Sequence, residues 1–337
     1  MKTAIFDLEE KRLKEEIRKR RAKRIFIQLP EGLKPYGYYL ASIVENAGAL
    51  AIISADPCYG ACDLGISEAE SLDADLIVHY GHSKIIEEKK KIKTLYIEAK
   101  AKSSVKDTVR KALPLLKDYE KIGLVTTVQH VHMLNEAREE LLKTGKTVAI
   151  GDAGQVKYAG QVTGCDLSNA KAIAKEVDAF LFVGGGRFHA IGVALATAKP
   201  TIVADPYEKT AFTVNNVNKI LNQRWVQISL AKKADKFGVL VGLKSGQRKL
   251  ETAIKVKQRL EENGKYAVLL ALREITPEAL LQFPDIEAFV NTACPRVSLD
   301  DTSRFNRPVI TFNEALVALG EMSWEELCRR GWFENLT

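Results

Sequence analysis

The sequence predicts an α/β fold made of three related four-stranded parallel α/β domains, an internal triplication arranged around one central site. Apolar, β-branched strands alternate with amphipathic helices along all 337 residues, which is typical of parallel sheets covered by helices. Three successive stretches also repeat one order of elements, with a strand and a helix followed by three further strands. The first helix of each stretch ends at a glycine close to Asn or Thr, a common C-terminal signal.

The first repeat begins at a buried strand that follows a charged N-terminal stretch. Its helix is predicted over 35–46 and ends before Gly48. Its four strands are expected at 24–30, 49–55, 74–83 and 94–99.

The second and third repeats follow the same plan. The second has its helix ending near Gly145, and the third has a helix over 247–263 that ends at Gly264. The strands of the second repeat are expected at 121–130, 147–152, 177–186 and 200–206. Those of the third repeat are expected at 236–246, 266–272, 286–294 and 308–314.

The repeat length sets the predicted domain boundaries. From first to fourth strand the three repeats span about 70, 79 and 72 residues. We therefore predict domains over residues 1–112, 113–221 and 222–337, with the N-terminal helix in the first and a C-terminal tail in the third. The alternative is one larger doubly wound sheet, which predicts fewer repeated helix ends.

Composition excludes several classes of protein. The chain is 46% hydrophobic and 28% charged, and its apolar runs have the length of strands rather than of membrane spans. Residues 2–24 are charged and amphipathic, unlike a signal peptide. We expect a cytoplasmic protein with no membrane role, whose five cysteines are free for metal binding or catalysis rather than paired in disulfides.

The positive net charge is concentrated at one end. Of the formal charge of +7, five charges lie in residues 1–24, which hold ten Lys or Arg against five Asp or Glu. One interpretation is a solvated helix face, and the other is a docking surface for an acidic partner or RNA. Because the charge is confined to this segment, we expect no direct nucleic-acid role.

Three cysteines lie at or just past the ends of predicted strands, one in each repeat: Cys62 in YGACD, Cys165 in GQVTGCD and Cys294 in TACPRV. Parallel α/β sheets build their sites at the carboxyl ends of strands, so three repeats around a common axis could aim one thiolate each at one point. Cys294 follows the third strand of its repeat, whereas the other two follow the second. Three thiolates suit a [4Fe–4S] cluster with one open iron or a zinc ion with one open position.

The remaining two cysteines are not assigned to this site. Cys328 lies in a helical stretch, SWEELCRR, and is expected to be buried as a small apolar side chain. Cys58 lies four residues before Cys62, so it is expected to be a bystander, although an exchange of ligand between the two stays open.

Two further groups could line the site. All five histidines fall at or near the carboxyl ends of strands, and we select His82 in HYGHS and His189 in GGGRFH as candidates. The turn LKSGQR (243–248) joins a strand to a helix, and backbone N–H groups at such a helix start can bind a carboxylate. The alternative for the turn is an ordinary strand–helix connection.

Nine motifs in fixed order resemble the archaeal radical-SAM enzyme family of diphthamide biosynthesis, the 2-(3-amino-3-carboxypropyl)histidine synthases. The resemblance runs from about Gln28 to about Asp301 and so covers most of the chain. The motifs are QLPEGL, YGACD, HYGHS, TTVQHVH, GQVTGCD, the GGGRFH glycines, ADPY, KSGQ and ACPRV.

The resemblance implies a fold, a cofactor and a reaction. It implies three related domains around a [4Fe–4S] cluster held by Cys62, Cys165 and Cys294, in a homodimer. The implied transferase moves the 3-amino-3-carboxypropyl group of S-adenosylmethionine to imidazole C2 of one histidine in translation elongation factor 2, the first step towards diphthamide. An external reductant is expected, because the reduced cluster supplies the electron that cleaves a C–S bond.

S-adenosylmethionine is expected to bind beside the cysteines. Arg296, next to a predicted ligand, can pair with the methionyl carboxylate in bidentate fashion. The turn residues Lys244, Ser245, Gly246 and Gln247 can hold the same end, with His82 and His189 nearby. Two other functions stay open at this point: an open-site zinc enzyme, and an accessory electron-transfer iron–sulfur protein.

Overall fold

The computed structural model describes residues 5–85, 92–300 and 302–333. Its first unit begins with a helix whose Leu13 and Ile17 are buried beside the first sheet. The helices and strands of this unit are α1 (Glu10–Arg20), β1 (Arg24–Gln28), α2 (Gly37–Asn46), β2 (Leu50–Ile53), α3 (Ile66–Ser71), β3 (Leu76–Tyr80) and β4 (Lys93–Ile97). The strands pair in the order β2-β1-β3-β4, and all of them are parallel.

The second unit repeats this order and adds one strand. Its elements are α4 (Lys106–Ala112), β5 (Lys121–Thr126), α5 (Leu134–Leu142), β6 (Thr147–Ala149), α6 (Ser168–Ile173), β7 (Ala179–Val183), α7 (Phe188–Thr197), β8 (Thr201–Asp205) and β9 (Thr210–Thr213). The sheet order is β6-β5-β7-β8-β9, and β9 is antiparallel to β8. The four predicted parallel strands are present, and the chain turns back between Asp205 and Thr210 to add a fifth, antiparallel edge strand that was not predicted.

The third unit returns to four parallel strands. Its elements are α8 (Val217–Lys232), β10 (Lys236–Gly242), α9 (Leu250–Glu262), β11 (Tyr266–Leu272), α10 (Pro277–Leu281), β12 (Ala288–Asn291), α11 (Pro295–Asp300), β13 (Val309–Thr311), α12 (Phe312–Leu319) and α13 (Trp324–Arg330). The order is β11-β10-β12-β13. Because all three sheets share one order, the predicted triplication is confirmed, and one larger sheet is excluded.

The helix ends from which the repeat was predicted have the same backbone conformation in each unit, a glycine with a positive φ angle. Gly48, Gly145 and Gly264 follow α2, α5 and α9 and have φ angles of 90°, 78° and 74°. Residues with a Cβ rarely adopt this left-handed conformation, so glycine is favoured at each position. Each helix therefore stops at the point where the chain must turn into the second strand of its unit.

Each of two connecting helices packs against the unit that follows it in the chain. Helix α4 contacts β8, β9 and α5 of the second unit, and α8 contacts α12, β12 and β13 of the third. The domain boundaries after residues 112 and 221 stay a prediction. No helix in the described part of the chain combines the length and apolarity that a membrane crossing requires.

A buried ion pair holds the third unit together behind Cys294. The guanidinium of Arg224 is fully buried and donates to both carboxylate oxygens of Glu314, at 2.7 and 2.6 Å. It also donates to the carbonyl of Ser298 in α11, at 2.6 Å. Glu314 additionally accepts a hydrogen bond from Trp332 Nε1 at 2.7 Å. One charge pair thus connects α8, α11, α12 and the C-terminal segment.

We expect Arg224→Met to lower the free energy of unfolding by about 3–5 kcal/mol, because it leaves the Glu314 carboxylate buried without its partner. The control is Arg20→Met, which removes an exposed pair with Glu16 and should cost less than about 1 kcal/mol. Chemical denaturation of both variants measures the difference. Equal losses in the two variants would show that the buried pair carries no special weight.

Candidate metal centre

The fold brings Cys62, Cys165 and Cys294 to one place at the junction of the three units. Cys62 lies in a 3₁₀ turn after β2, Cys165 in the loop between β6 and α6, and Cys294 directly before α11. Burial, with smaller contributions from the thiols of Cys165 and Cys294, raises the pKa of Cys62 to about 11. Burial also raises the pKa of Cys294, to which Cys165 adds a further increase. The three thiols therefore interact electrostatically with one another although they are far apart in sequence.

The spacing of the three sulfurs argues against one tetrahedral zinc ion. Zn–S bonds of about 2.3 Å would place the sulfurs roughly 3.8 Å apart. In the described residues, the three-residue group whose ligand atoms lie within 4.8 Å of one another consists of Cys58, His79 and His82, not of the three strand-end cysteines. At least one pair of the three sulfurs is therefore more than 4.8 Å apart, which is too far for one zinc ion and compatible with a centre of several metal ions.

The turn after β10 holds the Cys62 loop in place. The Gly246 N–H donates to the carbonyl of Cys62 at 2.8 Å, and Ser245 Oγ donates to the carbonyl of Leu64 at 3.1 Å. Gln247 Nε2 donates to Cys62 Sγ at 3.4 Å, which lowers the pKa of that thiol. The turn predicted to bind a carboxylate thus lies against the first cysteine and stabilises its thiolate.

Lys244 in the same turn is buried between two carboxylates. Its ammonium lies 3.2 Å from Asp63 Oδ2 and 2.7 Å from Glu274 Oε1, and the side chain is 5% exposed. Asp63 directly follows Cys62, so the ion pair joins the first and third units beside the thiol. This position makes Lys244 a support of the Cys62 loop.

Arg296 connects the third unit to the second. Its Nη2 donates to the carbonyl of Phe188 at 3.0 Å, and its guanidinium stacks 3.7 Å from the centre of the Phe188 ring. Its Nε lies 2.7 Å from Asp300 Oδ2. The buried Nη1 has no hydrogen-bond partner among the described residues. Because Arg296 also interacts electrostatically with Cys294 and Cys165, this nitrogen is a donor available to a ligand at the centre.

A glycine next to Cys165 explains how that loop approaches Arg296. A Cβ on Gly164 would lie 2.8 Å from Phe188 Cε1 and 3.8 Å from Arg296 Cγ. Cys165 itself is exposed, whereas Cys62 and Cys294 are half-buried. The glycine in the TGCD motif is therefore required by close contact, and the Cys165 side is the open side of the centre.

The two selected histidines lie at the same junction. Burial lowers the pKa of His82 to about 4 and that of His189 to about 3, so both are neutral at pH 7. His189 interacts electrostatically with His82 and Arg296 and packs between two rings, with centroids 5.9 Å from Phe182 and 4.9 Å from Phe188. Neutral imidazoles at this point can donate or accept hydrogen bonds without adding charge.

Lys249 was missed by the sequence analysis. It lies directly before α9, burial lowers its pKa, and the thiols of Cys165, Cys294 and Cys62 oppose that change. Its ammonium therefore interacts with all three thiols and offsets negative charge that thiolates would place there. The signal available in the sequence was its location two residues after Gln247, at the start of a helix facing the predicted site.

The two cysteines that are not assigned to the centre, Cys58 and Cys328, lie in different parts of the structure. Cys328 packs at the edge of the apolar core of the third unit, as predicted. Cys58 is 3% exposed, and burial raises its pKa to about 12. It lies beside His79 and His82, and its thiol also interacts electrostatically with that of Cys62.

Comparisons with known proteins agree with one another. The sequence model of the diphthamide synthesis protein family matches residues 29–328. The 2-(3-amino-3-carboxypropyl)histidine synthase of Pyrococcus horikoshii is 36% identical over 307 residues, which cover 90% of this chain and 88% of that protein. Subunit 1 of the Schizosaccharomyces pombe synthase is 34% identical over 322 residues, which cover 92% of this chain and 73% of that protein.

A solved structure gives the same result at the level of the fold. The crystal structure of Dph2 from Pyrococcus horikoshii with a 4Fe-4S cluster superposes with a TM-score of 0.86 at 34% identity. The match covers 94% of this chain and 92% of that chain. A second crystal structure of the same protein gives a TM-score of 0.85.

Proposed function

The chain belongs to the diphthamide synthesis protein family, and from that premise we propose that Cys62, Cys165 and Cys294 hold one [4Fe–4S] cluster. The chain is a transferase of the 2-(3-amino-3-carboxypropyl)histidine synthase type, and it acts in the first step of diphthamide synthesis. The observation that carries the ligand assignment is the meeting of three thiols, one from each unit, at a single junction.

The surroundings of the thiols suit a cluster with one open iron. Three cysteine ligands leave one iron of a [4Fe–4S] cluster without a protein ligand. At least one pair of the three sulfurs is farther apart than one tetrahedral zinc ion allows. Lys249 and Arg296 place two positive charges beside the thiols, which offsets the mutual repulsion of three thiolates.

We propose that S-adenosylmethionine binds between Arg296 and the turn formed by Lys244, Ser245, Gly246 and Gln247. The support for this proposal is the buried Nη1 of Arg296, a charged donor with no hydrogen-bond partner in the described residues. A methionyl carboxylate there would satisfy it. His82 and His189 lie on the same side and are proposed as further contacts. The bound cluster supplies the electron that cleaves a C–S bond of the sulfonium.

The protein's own contribution to the reaction is position. The carbon–sulfur bond that breaks would depend on how the sulfonium is oriented at the centre, so Arg296 and the turn, which would hold the methionyl end, would select the product. Arg296 is itself held by Phe188 and Asp300. A cosubstrate bound to it is therefore oriented by a side chain that has little freedom to move.

We propose translation elongation factor 2 as the protein substrate, with an external reductant as electron donor and a homodimer as the assembly. The acceptor histidine must reach the centre from outside, and the most exposed of the three cysteines is Cys165. A cavity beside it is lined by side chains of α6 and by the C-terminal segment, including Lys171, Arg330 and Phe333. This side is our proposal for the entry of the factor's histidine.

The ligand assignment predicts which cysteines the iron requires. We expect Cys62→Ala, Cys165→Ala and Cys294→Ala each to lose the cluster, because two thiolates do not retain it. Iron analysis and the electron paramagnetic resonance spectrum of the dithionite-reduced protein measure the loss.

Two matched variants provide the control for this prediction. Cys58→Ala and Cys328→Ala remove thiols outside the group of three, and both should keep their iron. Loss of the cluster in Cys58→Ala together with its retention in Cys62→Ala would reverse the assignment of these two residues.

The proposed role of Arg296 predicts a change in KM rather than in the cluster. Arg296→Lys keeps the charge but loses the planar fork. The loss of a charged hydrogen bond worth about 1.5–3 kcal/mol should raise the KM for S-adenosylmethionine by roughly 10–100-fold. The iron content and spectrum should not change. Arg259→Lys, which alters an ion pair with Glu321 on the far side of α9, is the control, and an equal KM for both variants would remove Arg296 from the binding site.

The function itself is tested by turnover. Reduced, cluster-loaded protein is incubated with S-adenosylmethionine and elongation factor 2, and the factor is analysed by mass spectrometry. We expect the 3-amino-3-carboxypropyl group on one histidine. Methylthioadenosine formed without modified factor would indicate cleavage uncoupled from transfer. The absence of both products would favour an accessory electron-transfer role.

A further inference from the structure

A second group of possible metal ligands lies in the first unit, outside the three strand-end cysteines. Cys58 Sγ and one ring nitrogen each of His79 and His82 lie within 4.8 Å of one another. His79 Nε2 is 3.0 Å from His82 Nδ1. Cys58 and His79 are buried, with 3% and 0% exposure, and His82 is half-buried. A thiol sulfur, which is a soft metal ligand, and two imidazole nitrogens, which are ligands of intermediate softness, thus lie together in the interior of the first unit.

The orientation of His79 is fixed by a hydrogen-bond chain behind it. The Gly65 N–H donates to Gln28 Oε1 at 2.8 Å, and Gln28 Nε2 donates to the carbonyl of Asp63 at 3.1 Å. These two bonds determine which end of the amide is oxygen. His79 Nδ1 lies 3.3 Å from that oxygen, so Nδ1 carries the ring proton. The lone pair of His79 is therefore on Nε2, which faces His82.

We propose that Cys58, His79 and His82 bind one zinc ion, distinct from the centre formed by Cys62, Cys165 and Cys294. The ligand atoms are Cys58 Sγ, His79 Nε2 and His82 Nδ1, and a water molecule completes the tetrahedron. On binding, the thiol releases its proton to solvent, and the ring proton of His82 resides on Nε2. The Gln28 amide holds His79 as outer hydrogen-bond partners commonly hold metal-binding histidines.

The distances fit zinc with small adjustments. Two imidazole nitrogens at about 2.0–2.1 Å from one tetrahedral ion are roughly 3.4 Å apart, against 3.0 Å between His79 Nε2 and His82 Nδ1. A thiolate at about 2.3 Å would lie roughly 3.6 Å from each nitrogen, within the 4.8 Å that encloses the group. Mixed thiolate and imidazole ligands in a tetrahedron are typical of zinc among the divalent ions.

A zinc ion at this position would act on the neighbouring centre through Cys58. With its thiol on zinc, Cys58 cannot replace Cys62, although only three residues separate them. His82 contributes Nδ1 to the ion, which leaves its Nε2 for a second contact, with the Tyr80 backbone or with S-adenosylmethionine. The two metal sites thus share one side of the first unit without sharing a ligand.

The test uses the cluster-loaded protein, in which iron occupies the other three cysteines. The protein is incubated anaerobically with zinc chloride and desalted, and zinc and iron are counted. X-ray absorption at the zinc edge then reads the zinc ligands without interference from iron. We expect one zinc per chain with one sulfur and two imidazoles in its shell, and unchanged iron.

Variants assign the ligands. Cys58→Ser should lose the zinc, and Cys328→Ser, the matched control, should keep it. Gln28→Leu removes the outer partner of His79 but none of the three ligands, so it should weaken zinc binding by about 10–100-fold rather than abolish it. Equal zinc in Cys58→Ser and the unaltered protein, a zinc shell without sulfur, or zinc gained only as iron is lost would each overturn the proposal. Iron content and turnover report on the proposed cluster separately, so failure of one assignment does not imply failure of the other.

Discussion

The site of this protein depends on the junction at which three separate sheets meet. No unit carries more than one of Cys62, Cys165 and Cys294, so the centre exists only while all three interfaces hold. Each interface is made by polar contacts close to a cysteine. Gly246 donates its N–H to the Cys62 carbonyl, and Arg296 donates to the carbonyl of Phe188. In both bonds the acceptor is a backbone carbonyl. These bonds therefore depend on the path of the loop and not on which side chain the accepting residue carries.

The interface between the first two units also consists of polar contacts, but here the acceptors are side chains. The carboxylate of Glu98 is almost fully buried and accepts from Lys157 Nζ at 2.7 Å and from Tyr158 OH at 2.9 Å. Gln161 Nε2 donates to Ser83 Oγ at 3.0 Å, just after His82. Loss of Tyr158 or Lys157 would leave the buried Glu98 carboxylate with fewer hydrogen-bond donors, which destabilises this interface. The contacts at the interfaces therefore determine how the three cysteine loops are positioned relative to one another.

The repeated architecture could be predicted from the sequence because the signals for it lie within short local segments of each unit. Strand patterns and the helix stops at Gly48, Gly145 and Gly264 need no knowledge of the rest of the chain. Strand β9 was missed because TAFT is short and pairs only after the chain has reversed. Lys249 and the partners of Cys58 were missed for a different reason. Their roles arise from side chains of other strands and units, and no spacing in the sequence encodes that proximity.

The departure of Cys294 from the repeat has a structural counterpart. In the first and second units the cysteine follows the second strand, whereas the third unit uses the loop after β12. The corresponding loop after β11 instead carries Arg273 and Glu274, which pair with Glu68 and Lys244. The third unit therefore uses one loop to bind the first unit and another to supply a thiol. A strict threefold arrangement would surround the centre with three identical loops and could not distinguish the three carbons bonded to a sulfonium. The broken repeat places Arg296 and the Lys244–Gln247 turn on particular sides of the centre, and that asymmetry is what a bond-selective reaction requires.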